Sequence, residues 1–356
     1  MEELTLTPLP APLDKISPRA MRSIVRLPRA KVHVHVKGLR RRKYGKGKER
    51  KEKEKEWELI LSMRHLFHFL GRAETFQLRG VAAGFRDSTT RAITTLDMST
   101  RFSAVRSEIC PLLSFATLFS SIEILNLKNC RNIAGDLADL QGLNRLKHLT
   151  LSNCYKLKGN VKSLGGFTHL RTLNIDGLLP MNFEGKLQSL SKLNDLKEIS
   201  CQNCFKLTGD LNGLPHRLTS LNLSGCSGLS SNGLENLQQL RILVVAFTSV
   251  LADLRPITGL TKLQLLDCQH CFDLQGDLGP VRELTELTSV NLAVCKKLTG
   301  SLEPFESTKK LEQLNLRHCR LLQPSMFEVR SLAKQTKKLN LQGLALTTAI
   351  GGVLPF

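Results

Sequence analysis

Apolar and polar residues alternate along this chain in two regimes, and the longer one is a repeat. Setting Ile122, Leu146, Leu170, Leu196, Leu218, Leu240, Leu263, Leu287 and Leu311 in one column leaves steps of 24, 24, 26, 22, 22, 23, 24 and 24 residues. Counted from that column, apolar side chains occupy positions 1, 4, 6, 12, 16, 19 and 22, as in LKHLTLSNCYKLKGNVKSLGGFTH from Leu146. A fixed period of this size is the signature of a stacked architecture. The period-2 alternation at positions 4 and 6 predicts a short strand with those side chains turned inward. Cys stands at position 9 in seven units, as Cys130, Cys154, Cys204, Cys226, Cys271, Cys295 and Cys319, where a free thiol acts as a small buried hydrophobe. Gly recurs at position 14, at Gly135, Gly159, Gly209, Gly276 and Gly300, and predicts a turn with positive φ or a close backbone approach. One such unit cannot bury its own apolar face, whereas a stack can, at roughly 1.5–3 kcal/mol per fully buried Leu.

The pattern L-x-x-L-x-L-x-x-C-x-x-L-x-G-x-L resembles the leucine-rich repeat, over residues 93–346. The L-x-G step and 24-residue length resemble its plant-type subclass, with Cys where Asn usually stands. The resemblance implies an α/β solenoid: a horseshoe of about ten units over 93–356, with a parallel β-strand ladder on its concave face. It also implies a non-catalytic scaffold that binds a protein partner on that face. Two units depart from the pattern. That at Leu170 is two residues longer and has Leu178 at position 9, and that at Leu240 has Thr248 there and no Gly step, so both are expected to be locally irregular.

The unit at Leu240 also departs on its outward positions. These carry Ile242, Val244, Ala246 and Phe247, and the next units add Leu265, Ala293 and Val294. The expectation is an apolar patch on a polar face, rimmed by Asp267, Gln269, His270, Arg317 and His318, and contiguous exposed apolar area marks interaction sites. A slip of register in this unit would bury the same side chains. Asn recurs at position 5, including Asn291 and Asn315, where it suits bonding between neighbouring strands as well as ligand contact.

Two Cys-x-x-Cys pairs, Cys201/Cys204 and Cys268/Cys271, each match half of a zinc site. Their cysteines fall on inward positions 6 and 9, three units apart, so the repeat accounts for them without metal. His148, His270 and His318 lie on or beside the strand face without a Ser/His/Asp or Cys/His set around them. Neither an enzyme nor a cofactor is expected.

Before the repeats the character changes. Residues 57–92 carry helical apolar faces, and Leu66, Phe67, Leu70, Phe76, Leu78, Val81 and Phe85 resemble the second half of an F-box, although the usual Leu-Pro start is missing. F-box kinship implies docking to a ubiquitin-ligase linker, with a substrate held on the repeats. The same residues equally suit a helical cap over the first coil. Residues 1–56 hold 17 Lys/Arg against 7 Asp/Glu, half of the chain's net +20, and read as a basic disordered tail. Within it Lys31–Lys37 alternates as a weak strand, and Arg40, Arg41, Arg42 and Lys43 form a cluster of nuclear-import type that could also grip nucleic-acid phosphates.

Aromatics make up only 5% of the chain, which suits a core of stacked leucines. No run approaches ~18 apolar residues, so no membrane span is expected. Sparse cysteines, absent Cys-rich caps and a single N-x-[ST] sequon, at Asn222 on a predicted strand, favour an intracellular protein of cytoplasm or nucleus, with organelle import left open.

Overall fold

The computed structural model describes residues 33–36, 93–97, 99, 110–111, 121–131, 133–178, 183–347 and 353–355. Twelve strands form one sheet in chain order, from His33–Val36 through Ile93–Asp97 and then one strand per unit to Lys338–Asn340. All neighbours are parallel except the first pair, in which His33–Val36 runs antiparallel to Ile93–Asp97. That first strand is the Val/His alternation seen in the basic segment. The rest of residues 1–56, and all of 57–92, lie outside the described residues. So do the ligase-docking candidates Leu66, Phe67, Leu70, Phe76, Leu78, Val81 and Phe85, and the basic cluster Arg40–Lys43.

Each repeat contributes a three-residue strand covering positions 3 to 5, and the register is unit on unit. Ile124 faces His148, His148 faces Thr172, and so on to Gln313 opposite Lys338. The ladder runs past the strands. Position 6 donates to the carbonyl at position 5 of the next coil, as Leu127 N–H to Thr150 O at 2.8 Å, and position 8 to position 7, as Asn129 N–H to Ser152 O at 2.8 Å. Stacking therefore satisfies the backbone that each short strand alone would leave open.

All seven apolar positions of the unit at Leu146 are buried: Leu146, Leu149, Leu151, Leu157, Val161, Leu164 and Phe167. In the unit at Leu287 the last of these positions holds Thr308, which stays buried because its hydroxyl donates to the Phe305 carbonyl at 2.7 Å. The chain returns across the back in short 3-10 turns such as Leu137–Leu140, which Asp136 caps, and Glu303–Ser307. Near the C-terminal end an α-helix, Met326–Gln335, takes their place, started by a Ser325/Glu328 capping box.

The Gly step builds a second parallel ladder. Six strands, from Cys110–Pro111 to Gly228–Leu229, stack in it, and Gln275–Gly276 pairs with Lys297–Leu298 further on. Gly159 shows why the step needs glycine: its φ is +137, and a Cβ there would meet Asp136 Oδ1 at 2.8 Å and Leu137 N at 3.0 Å. The unit at Leu240, which lacks the step, has no strand in this ladder among the described residues. The longer unit at Leu170 recovers its phase at Gly185, which has φ +131.

The cysteine column is buried and hydrogen-bonded. Each thiol after the first donates to the carbonyl at position 6 of the preceding coil: Cys154 to Leu127 at 3.0 Å, Cys226 to Cys201 at 3.0 Å, Cys271 to Val245 at 3.1 Å, Cys319 to Leu292 at 3.0 Å. A thiol is a weak donor, but it is small and suits a dry column. Thr248 fills the same slot with a hydroxyl that donates to Val245 O at 2.6 Å. Burial pushes the Cys154 thiol up to about 12 and Cys226 and Cys319 to about 11, against an ordinary 9.0. Because the folded values lie above the unfolded one, the stability these thiols contribute is complete below pH 9 and is lost as pH rises toward 11 to 12. Two results are expected. The denaturant midpoint falls on going from pH 8 to pH 10.5, and falls less in Cys154→Ala. At pH 8 these thiols resist alkylation until denaturant is added.

Candidate interaction surface

Positions 3 and 5 of every strand point away from the core onto the concave face. Most carry polar side chains, such as Thr172 with Asn174 and Ser220 with Asn222. At position 5 the Asn carbonyl oxygen accepts from the N–H two residues on: Asn126 from Lys128 at 3.1 Å, Asn222 from Ser224 at 3.0 Å, Asn291 from Ala293 at 3.3 Å, Asn315 from Arg317 at 3.2 Å. Asp267 does the same for Gln269 at 3.0 Å. The column is thus mainly a series of Asx turns that lead strands out of the sheet, and at Asn174 the same oxygen also accepts from the Ser152 hydroxyl of the preceding coil.

Val244 breaks that column. Its strand stays in register, with Ile242 opposite Leu265 and Leu243 opposite Leu266, so no slip has occurred. Ile242 is exposed, and Val244 and Leu265 are partly exposed. The three adjoin as an apolar spot on a mostly polar face, five coils from Ile124, the other exposed hydrophobic of its strands among the described residues. Ala246 and Ala293, expected to extend it, are buried. Position 7 does lie beyond the outward face, but side chains this short remain beneath their neighbours, as Ser152 and Ser224 do at the same position. Beyond Leu265 the face hollows into a groove of ≈ 610 Å³. Asp267, Asn291, Asn315 and Asn340 form one row of it, and Lys338 stands at its far side.

Position 8 holds a feature that periodicity did not reveal: every unit places it in the left-handed region. Asn129, Asn153 and Asn203 have φ near +60, and Gly177 and Gly225 have +66 and +73. Asn and Gly tolerate that conformation. In four later units the residues are Phe247 (φ +57), His270 (+57), Val294 (+66) and His318 (+61). Phe247 is 56% exposed and stacks on His270, with ring centroids 4.5 Å apart and planes 9° from parallel. His270 meets the edge of Phe272 at 5.8 Å, and Lys296 sits 5.8 Å over the Phe272 ring. The structure therefore brings Ile242, Val244, Phe247, Leu265 and His270 together, with Asp267 and Gln269 beside them. Val294 is partly exposed. Arg317 and His318 stand two coils further on, linked by Arg317 Nε to His318 Nε2 at 3.2 Å. Phe272 and Lys296 were not expected from the sequence; the signal was in position 10, which reads as exposed in unit after unit.

Elsewhere on the face His148 is engaged, its Nδ1 2.8 Å from Thr172 Oγ1. Burial, with Arg171 adding to it, lowers its pKa. Both Cys-x-x-Cys pairs are buried, and among the described residues no group of three or more His, Cys, Asp or Glu is arranged to hold a metal. No helix among them is long and apolar enough to cross a membrane.

No family model and no curated protein matches this sequence. Solved structures do. A leucine-rich-repeat protein of Leptospira interrogans superposes with a TM-score of 0.53 at 18% identity, over 68% of this chain and 60% of that one. The chain has the leucine-rich-repeat fold. The receptor kinase HAESA ectodomain of Arabidopsis, solved with an N-terminally extended IDA peptide hormone, matches with a TM-score of 0.52 at 19% identity, over 72% of this chain and 47% of that one. A TDR receptor matches with 0.50 at 18% identity, over 75% of this chain and 50% of that one. This leucine-rich-repeat chain thus spans 60% of the bacterial protein and about half of these two receptor chains.

Proposed function

We propose that the protein is a non-catalytic scaffold that holds a protein partner on its concave face, centred on Ile242, Val244 and Leu265. The observation carrying this reading is that apolar trio, placed where the neighbouring coils present Ser, Thr and Asn. Phe247 borders it, and the groove beyond Leu265 offers amides and a lysine for polar contacts. A partner segment with an apolar side chain on the trio and polar groups along the groove fits this surface. The HAESA ectodomain, of the same fold, was solved with a peptide on board.

The test is quantitative affinity capture by the full chain, comparing Val244→Asp with Phe247→Asp combined in one variant. Thr150→Asp, on the same face four coils before Val244, is the control. Capture of a specific partner falls at least about tenfold, or about 1.4 kcal/mol, in the double variant and stays intact in the control. Both variants must keep the wild-type melting midpoint; equal capture by a folded double variant overturns the reading.

A sharper form makes the chain the substrate receptor of a ubiquitin ligase, with Leu66, Phe67, Leu70, Phe76, Leu78, Val81 and Phe85 docking the linker protein. It rests on the sequence resemblance alone. Leu70→Asp should abolish linker capture while concave-face capture persists. Retention of the linker by that variant would dismiss it.

A further inference from the structure

The edge where the strands leave the sheet carries a second surface, which meets the concave one at Phe247. The described residues at positions 7 to 11 of the nine coils from Ile122 to Leu311 line it. They hold eight Lys or Arg residues against two carboxylates, Asp176 and Asp273, and Asp273 is already paired with Lys297 at 2.8 Å. The other seven cations have no carboxylate partner among the described residues. Rings stand among them. Phe205 is 49% exposed and Phe272 53%, each in a coil whose edge carries a lysine or faces one. Contacts join neighbouring coils at two places on this edge: the Arg131 guanidinium lies 5.5 Å over the Tyr155 ring, as Lys296 lies over Phe272.

We propose that this rim binds single-stranded nucleic acid. Coils follow one another at the strand spacing, about 4.8 Å, so Tyr155 and Phe205 are separated by roughly 10 Å and Phe205 and Phe272 by roughly 14 Å. Small Ser227 and Ser249 occupy position 10 between the last two, leaving room for unstacked bases. Exposed rings set among cations that lack carboxylate partners make a platform on which bases stack, displacing Arg131 and Lys296 from the ring faces they cover, while phosphates meet the lysines. An acidic peptide would use the cations and leave the rings idle. Nothing in the core needs Phe205 or Phe272, whose side chains are half in water. Phe247 is held in a left-handed backbone that Asn or Gly would occupy with less strain, and its ring joins the same edge.

The experiment is fluorescence anisotropy of the full chain with an end-labelled uridine oligomer of roughly 20 nucleotides, over a range of salt. The wild type is expected to bind with a steep salt dependence. Phe205→Ala with Phe272→Ala should weaken binding at least about tenfold at an unchanged salt slope, because stacking is lost and charge is not. Lys206→Glu with Lys296→Glu should weaken it and flatten the slope. All four residues are exposed at turns, so thermal midpoints should stay at the wild-type value. The ring variant also separates this rim from the basic segment 1–56, whose binding would not change when Phe205 and Phe272 are removed. Ring variants that bind like wild type overturn the proposal. So do a duplex of the same length or polyglutamate binding as tightly as the oligomer, or the absence of binding at low salt.

Discussion

Leu243→Ala is expected to destabilise the protein by about 2–5 kcal/mol and to split its unfolding into two transitions. Leu243 is fully buried at the centre of its strand, between Leu221 on one side and Leu266 on the other. Truncating it opens a cavity that the strand ladder keeps from collapsing. Any inward leucine would incur that loss, but the second transition belongs to this coil. From Cys110–Pro111 to Gly228–Leu229, and again between Gln275–Gly276 and Lys297–Leu298, successive coils are joined twice, by the concave sheet and by the ladder at the Gly step. At the unit of Leu240 that ladder stops at Gly228–Leu229 and resumes at Gln275–Gly276. Two hydrogen bonds, Gln275 N–H to Ala252 O at 2.9 Å and Ser249 Oγ to Asp273 Oδ2 at 2.9 Å, bridge part of the gap. A solenoid's cooperativity is the product of its nearest-neighbour interfaces, so the weakest one decides where it parts. Leu149→Ala, in a coil joined by both ladders, should shift a single transition by a similar amount. Urea unfolding followed by circular dichroism, with hydrogen exchange on residues 263–340, reads the difference. One shifted transition in both variants would show that the concave sheet alone carries the coupling.

The fold was legible because its core is the repeat itself. Leu146, Leu149 and Leu151 needed only their spacing to be placed inward, and the cysteine column could be assigned to the interior on the same ground. What each side chain bonds to was not legible. The Cys154 thiol meets the Leu127 carbonyl 27 residues back, a contact set by coil stacking rather than by local sequence. Asn222 gave no sign whether it would turn its own backbone or bridge to a neighbour. On the concave face, alternation gave direction but not exposure. Ile242 and Val244 reach solvent from the outward side, while Ala246 is too short to do so. The rim was hidden for a different reason. Arg131 and Tyr155, or Phe272 and Lys296, are 24 residues apart and meet only when read down position 10 instead of along the chain. The left-handed column was half visible, as Asn129, Asn153, Gly177, Asn203 and Gly225. Phe247, His270, Val294 and His318 then masked it, because none of these residues announces that conformation.

That column supplies the other large effect. Gly225→Val should cost about 1–2 kcal/mol from the left-handed backbone alone. The cost should be higher because a Cβ at Gly225 would lie 2.5 Å from Asn203 Oδ1 and 3.4 Å from Asn203 Cα. The amide could rotate away, whereas the backbone atom cannot. Val294→Asn should do the reverse and stabilise by about 1 kcal/mol, since a β-branched residue with φ +66 is replaced by one that accepts it. Phe247→Asn should gain similarly in stability while losing the ring that borders both proposed surfaces. If strain at this column is kept for binding, the two asparagine variants part company: Val294→Asn gains stability and holds its ligands more nearly as wild type does, whereas Phe247→Asn becomes more stable and binds less well. Thermal melts alongside the two binding assays decide it. An unchanged melting midpoint in both asparagine variants would mean that neighbouring coils fully offset the left-handed conformation, leaving no strain for binding to explain.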